Sequence, residues 1–122
     1  MDFKPHIYYP KRTDKQLYSN LVAQCTLMDI PFIQSCPDIL TVTKYRLIAD
    51  GLFGFSFKPP VRETFKEVMN LMVEADVPVV SVDIPSGWDV ETGPNDVEKS
   101  IKPFMLISLT GLMSSCLSAL SN

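Results

Sequence analysis

Histidine and tryptophan are close to absent, one of each, and the 122 residues hold only three cysteines. A zinc site needs several Cys, His or carboxylate ligands brought together. With His6 as the single imidazole and no C-x-x-C spacing, the chain lacks the material for one. The odd cysteine set, Cys25, Cys36 and Cys116, does not make a disulfide framework and reads as reduced thiols of an intracellular protein. The lone histidine also leaves a serine hydrolase without a base. Ser86 stands in Ile-Pro-Ser-Gly-Trp rather than in a G-x-S-x-G elbow. A basic excess is missing too. Eleven Lys+Arg face fourteen Asp+Glu for a net charge of −3, so no counterion release drives nucleic-acid binding.

The N-terminal Met1-Asp2-Phe3-Lys4-Pro5 has no apolar stretch behind its charges and does not read as a signal peptide, so the cytoplasm is the default expectation. The charge-free run from Phe104 to Leu120 is short for a membrane span of about 20 residues. It is also broken by Ser108, Thr110, Gly111, Ser114, Ser115 and Ser118. It reads as a buried strand, Met105 to Leu109, followed by a weak apolar helix, and no membrane partner is expected. What remains is 46% apolar and 10% aromatic, ample for one core in one domain. A chain of this size buries roughly 65% of its unfolded surface.

Strand-like and helix-like segments alternate. His6 to Tyr9 is a short aromatic and β-branched run stopped by Pro10. Thr13 to Gln16 fits a capping box, with Thr13 as the cap, ahead of an apolar helical face at Leu17, Leu21, Cys25 and Met28. Ile30 to Ile33 is a second strand weakened by Pro31, and Pro37 to Tyr45 is a loop with a helical turn. Leu47 to Gly54 reads as a buried strand entering a glycine-bearing loop. Val61, Phe65, Val68, Met69 and Met72 then mark one face of a helix that starts near Val61. Val77 to Ile84 is the strongest strand, with the near-continuous Val/Ile content of a parallel strand covered on both faces. The order predicts an α/β fold with a mostly parallel sheet and right-handed crossovers.

In such sheets ligands bind beyond the carboxyl ends of the strands. Asp50 and Asp83 lie there, and a carboxylate buried in an apolar strand needs a cation, turn N–H groups or a ligand hydroxyl as partner. Both could equally cap the turns that follow them. The loop from Gly54 to Pro60, with Lys58, offers backbone donors and a positive charge to an anion; an ordinary strand-to-helix connection with buried aromatics is the other reading. Ser86 is an oxygen donor that, with Asp83 three residues earlier and Asp50 on another strand, could help form an oxygen-rich cation site. Trp88 reads as a packing residue over the turn.

Two segments, Ala49-Asp50-Gly51-Leu52-Phe53-Gly54-Phe55-Ser56-Phe57-Lys58 and Val80-Ser81-Val82-Asp83-Ile84-Pro85-Ser86-Gly87-Trp88-Asp89-Val90-Glu91-Thr92-Gly93, carry a resemblance. Ile7 to Arg12, Met28 to Phe32 and Leu106 to Thr110 support it in order and spacing. Together they resemble the YjeF N-terminal domain family of NAD(P)H-hydrate epimerases, also called apolipoprotein A-I-binding proteins. The resemblance implies a Rossmann-like three-layer α/β/α fold, incomplete here. It implies interconversion of the R and S forms of hydrated NADH and NADPH with a potassium ion as cofactor, in a homodimer, and apolipoprotein A-I as a further partner. By matching positions, Asp50 and Ser86 resemble the potassium ligands. Gly54, Phe55, Ser56, Phe57, Lys58, Pro59 and Pro60 resemble the loop that holds the hydrated dinucleotide, and Asp83 resembles a carboxylate that contacts it. Asp83 is the residue expected to act as acid and base, because inversion at a hydrated carbon needs proton handling.

The match runs to about residue 110, as a partial domain, and residues 111–122 read as a divergent apolar tail. The family's Asn-Asn-Gly-Gly-Asp loop would precede the first matched strand and has no counterpart here, and Pro59-Pro60 departs from some relatives. Weak or no activity of these residues alone is therefore expected, as is mitochondrial or secreted placement for longer relatives. A catalytically impaired form acting as a protein-binding module is the alternative.

Overall fold

The computed structural model describes residues 3–94, 100–109 and 111. Its elements are β1 (Ile7–Tyr8), α1 (Gln16–Leu27), β2 (Phe32–Ile33), α2 (Ile39–Val42), β3 (Ile48–Asp50), α3 (Glu63–Glu74), β4 (Val79–Val82) and β5 (Met105–Ile107). They fall into two units, Met1–Pro37 and Asp38–Asn122. The tail from residue 112, with the apolar helix expected in it, lies outside the described residues. Among the described residues no helix is long and apolar enough to cross a membrane.

In the first unit β1 and β2 pair in parallel, Ile7 opposite Phe32 and Tyr8 opposite Ile33. Pro31, which has no N–H to give a ladder, stands just before β2, and its carbonyl accepts from Ile7 N–H at 3.0 Å. The expected capping box does not form. Lys15 is the N-cap of α1 and makes no side-chain cap bond, its carbonyl accepting from the N–H groups of Tyr18 and Ser19. The helix therefore starts after Thr13, too late for that hydroxyl to reach its first amides. Leu17, Leu21 and Met28 do lie on the helix or at its end, but they are exposed. Asp29 closes α1 in the left-handed region at φ 57°, and Ile30 N–H donates to Cys25 O at 3.0 Å in a Schellman-type end.

The second unit holds a three-stranded parallel sheet in the order β3-β4-β5. α3 joins β3 to β4 as a βαβ unit. Its apolar face, read from the spacing above, packs as expected: Val61, Met69, Met72, Val79 and Ile101 form the core, with Phe53, Phe57, Phe65 and Val68 against it. Burying a Met side chain of this kind contributes about 1.5–3 kcal/mol. The helix begins at Glu63, after a loop ending in a cis Pro59-Pro60 bond and the buried Val61. α2 is the helical turn expected between Pro37 and Tyr45, and the Asp38 carboxylate caps it by accepting from Thr41 N–H at 2.7 Å. The Thr41 hydrogen bonds hold the Asp38 carboxyl below its ordinary range.

Pairing of Ile48 with Val79, Asp50 with Ser81 and Ser81 with Leu106 puts one sheet face under α3. On the other face lie Ala49, Val80, Val82, Met105 and Ile107. Ala49, Met105 and Ile107 are exposed, the last two at 50% and 46%. The expectations of a buried β5 and of a β4 covered on both faces are thus corrected: β4 is fully buried only at Val79 and Ser81. Composition reports apolar strands but not whether a second layer covers them.

Candidate functional site at the carboxyl ends of β3 and β4

Asp50 is the last residue of β3 and is 1% exposed. Its Oδ2 accepts from Ser81 Oγ at 2.8 Å and from Ser86 N–H at 2.9 Å. Its Oδ1 accepts from Ser86 Oγ at 2.6 Å and, more weakly, from Leu52 N–H at 3.3 Å. Four donors meet the roughly four lone-pair sites of a carboxylate. All of them are neutral, so hydrogen bonds alone offset the desolvation that an unpartnered buried carboxylate would suffer. Ser86 Oγ accepts in turn from Phe53 N–H at 3.0 Å, tying the loop after β3 to the turn after β4.

That turn runs Pro85 to Trp88, closed by Trp88 N–H on Pro85 O at 3.0 Å. Gly87 at φ 89° supplies the left-handed position. A Cβ there would stand 2.8 Å from Met69 Cε, so α3 sets how closely the turn approaches. Trp88 is buried and donates from Nε1 to Ile101 O at 2.9 Å, the packing role expected of it. Beyond it Asp89 Oδ1 collects Thr92 N–H, Glu91 N–H and the Thr92 hydroxyl, and these bonds, Thr92 N–H first, hold its carboxyl below the ordinary range.

Asp83 follows β4 with φ 72°, and Ile84 N–H donates to Val82 O at 3.0 Å across it, the bond of a strained γ-turn. Strain of this kind re-aims the side chain as the strand ends. Asp83 Oδ2 accepts from Phe55 N–H at 2.9 Å, and a Cβ on Gly54 would stand only 3.1 Å from that oxygen. The loop thus divides in function. Leu52, Phe53, Phe55 and Phe57 spend their N–H groups on Asp50, Ser86, Asp83 and Gly54 O respectively. Phe57 turns inward and stacks on Phe53 at 4.6 Å, while Phe53 meets Phe65 edge-on at 5.1 Å. Phe55, Ser56, Lys58, Pro59 and Pro60 are exposed. Among the described residues the N–H groups of Gly54, Ser56 and Lys58 make no hydrogen bond.

The structure therefore brings Asp50 and Ser86 together, and Asp83 against Gly54 and Phe55. Glu63 in the first turn of α3 opposes the idea of an anion at that helix end. Ser81 was missed by sequence reasoning. A hydroxyl interrupting a valine run, in register with a strand-end aspartate, is the signal that would have found it.

Among the described residues no three His, Cys, Asp or Glu side chains gather as a metal cage. For a hard monovalent cation the test is donor type and charge. Asp50 and Ser86 Oγ are oxygens of the right kind, carrying one negative charge with no basic side chain bonded to it. The fit requires a serine hydroxyl proton to turn away from Asp50, since both carboxylate oxygens are otherwise occupied.

Residues 1–114 match the family model described as YjeF-related protein N-terminus. Over 111 residues, 90% of the chain, it is 55% identical to an NAD(P)H-hydrate epimerase of Aedes aegypti and 51% identical to one of Anopheles darlingi. It spans 47% and 48% of those proteins, about half the length of the curated relatives it matches. It also superposes on the crystal structure of yeast ynu0 with a TM-score of 0.86 and 37% identity, covering 95% of this chain and 50% of that one. The parallel βαβ unit with its strand-end cluster of Asp50, Ser81 and Ser86 and the match over nearly the whole chain agree: this chain belongs to the YjeF N-terminal family and carries part of its Rossmann-like α/β fold.

Proposed function

We propose that the chain supplies the strand-end crevice of an NAD(P)H-hydrate epimerase, interconverting the R and S forms of hydrated NADH and NADPH. The observation that carries this reading is the Asp83 carboxylate held by Phe55 N–H close over Gly54, where a Cβ would stand 3.1 Å from its Oδ2. The names of the relatives support the reaction and substrate. Inversion at the hydrated carbon requires its hydroxyl to leave with a proton and to return from the other face with loss of one. Asp83 delivers and removes that proton, and its γ-turn holds it at the crevice. The open N–H groups of Gly54, Ser56 and Lys58, with the Lys58 ammonium, hold the dinucleotide's phosphates; Phe55, Pro59 and Pro60 flank them, and Phe57 fixes the loop from beneath.

Potassium would be held by Asp50 and Ser86, whose charge and oxygen donors suit it, and would neutralise the Asp50 charge when bound. The reading extends to a homodimer, which the exposed strand face at Met105 and Ile107 supports. Apolipoprotein A-I and a cytoplasmic location rest on the resemblance and the thiols alone. The test is separation of R and S hydrates by chromatography after incubation with the full-length protein. Asp83→Asn lowers kcat/KM by about 10²–10⁴-fold while dinucleotide affinity changes little. A variant with turnover within about threefold of the parent would refute the acid–base role.

A further inference from the structure

The first unit has a strand-end cavity of its own. It measures about 340 Å³, within the rough 300–1,000 Å³ range of small-molecule sites, and is lined by Tyr9, Arg12, Phe32, Ile33 and Gln34. Tyr9 directly follows β1 and Gln34 directly follows β2, so the cavity lies at the carboxyl ends of paired parallel strands, where α/β sheets bind ligands. The Arg12 guanidinium sits 4.9 Å from the Phe32 ring centroid, a cation–π contact that orients a long side chain. Among the described residues Arg12 makes no ion pair or hydrogen bond, and the Tyr9 hydroxyl and Gln34 amide have no partner. Arg12 and Gln34 are exposed and Tyr9 is half-buried, so the polar groups that line the cavity stay open to solvent and to a ligand there.

We infer that this cavity binds an oxyanion, and specifically the phosphate of a phosphate monoester, through Arg12, Tyr9 and Gln34. A guanidinium fork takes two oxygens side by side, which a carboxylate also offers. Tyr9 and Gln34 add donors beyond the fork, and a phosphate monoester offers this set three free oxygens and up to two negative charges, against two oxygens and one charge for a carboxylate. The volume exceeds a bare phosphate and leaves room for the ester's organic part over Ile33. This site uses none of the residues assigned to epimerisation, so it stands or falls separately.

The experiment is a titration of the isotope-labelled full-length protein with glycerol phosphate, inorganic phosphate and acetate, followed by NMR. Saturable shifts at Tyr9, Arg12 and Gln34, tighter for the phosphates than for acetate, are the expected result. Arg12→Gln weakens that binding roughly tenfold or more, and Tyr9→Phe, a milder change that keeps the ring, weakens it less. Asp83→Asn leaves it unchanged. Shifts that never saturate, shifts confined to other residues, or equal affinity in Arg12→Gln and Tyr9→Phe would overturn the inference.

Discussion

Asp50 is where charge, burial and connectivity meet in a single side chain. Its four donors come from the following loop, from β4 and from the turn beyond β4. Asp50→Ala strands those donors in a buried space and is expected to cost about 3 kcal/mol or more. Asp50→Asn keeps the shape but turns one acceptor into a donor, at about 1–3 kcal/mol. Urea denaturation of the two variants orders them, and equal stability would contradict the hydrogen-bond account. Gly54 makes a different demand. Gly54→Ala places a methyl 3.1 Å from Asp83 Oδ2, so the loop must give way by a few tenths of an ångström. In the full-length protein the proposed epimerase activity is expected to fall by about tenfold or more with a stability change below about 1 kcal/mol, because Gly54 and Asp83 are only half-buried and catalytic geometry is the stricter requirement. Parallel assays of turnover and thermal unfolding separate the two effects.

At the scale of elements, α1 ends on a residue whose φ suits glycine better. Asp29→Gly removes a left-handed penalty and is expected to stabilise the chain by about 0.5–1 kcal/mol, seen as a higher unfolding midpoint. Two short elements respond to acid. The Asp38 cap of α2 and the Asp89 ties of the 89–93 loop both have lowered carboxyl pKa values in the folded chain. Their contribution is present above the ordinary carboxylate range and is lost as pH falls through the lowered values. NMR titration should show both carboxyls protonating below their ordinary pH, with loss of order at α2 and residues 89–93 following. The sequence made α3 legible because Phe65, Val68, Met69 and Met72 share a helical face and that face packs locally. Strands β1, β2 and β4 were placed by β-branched runs and prolines, and β3 and β5 by apolar runs, each shorter in the structure than the run that marked it. The start of α1 was misread because Thr13 has the chemistry of a cap without its position. Asp50 and Ser86 were legible as a pair through their residue types; Ser81 was not, since its meaning depends on strand register. The γ-turn at Asp83 has no sequence mark at all.

Over the whole chain, the sheet of the second unit is dressed on one side. The face bearing Ala49, Val80, Val82, Met105 and Ile107 leaves large side chains in water, a surface that invites association. The 122-residue chain alone is expected to self-associate in a concentration-dependent way, and Ile107→Lys is expected to shift it toward monomer in sedimentation. Insensitivity to that charge would locate the contact elsewhere. The bonds from Asp50 to Ser81 and Ser86 also reach across 31 and 36 positions of chain. No short stretch of sequence can hold them, so they exist only while β3 and β4 are paired. The Ser86 amide is consequently a native reporter: its exchange with solvent deuterium should track the cooperative opening of that sheet rather than local fraying, and should slow when a cation or ligand settles at the crevice.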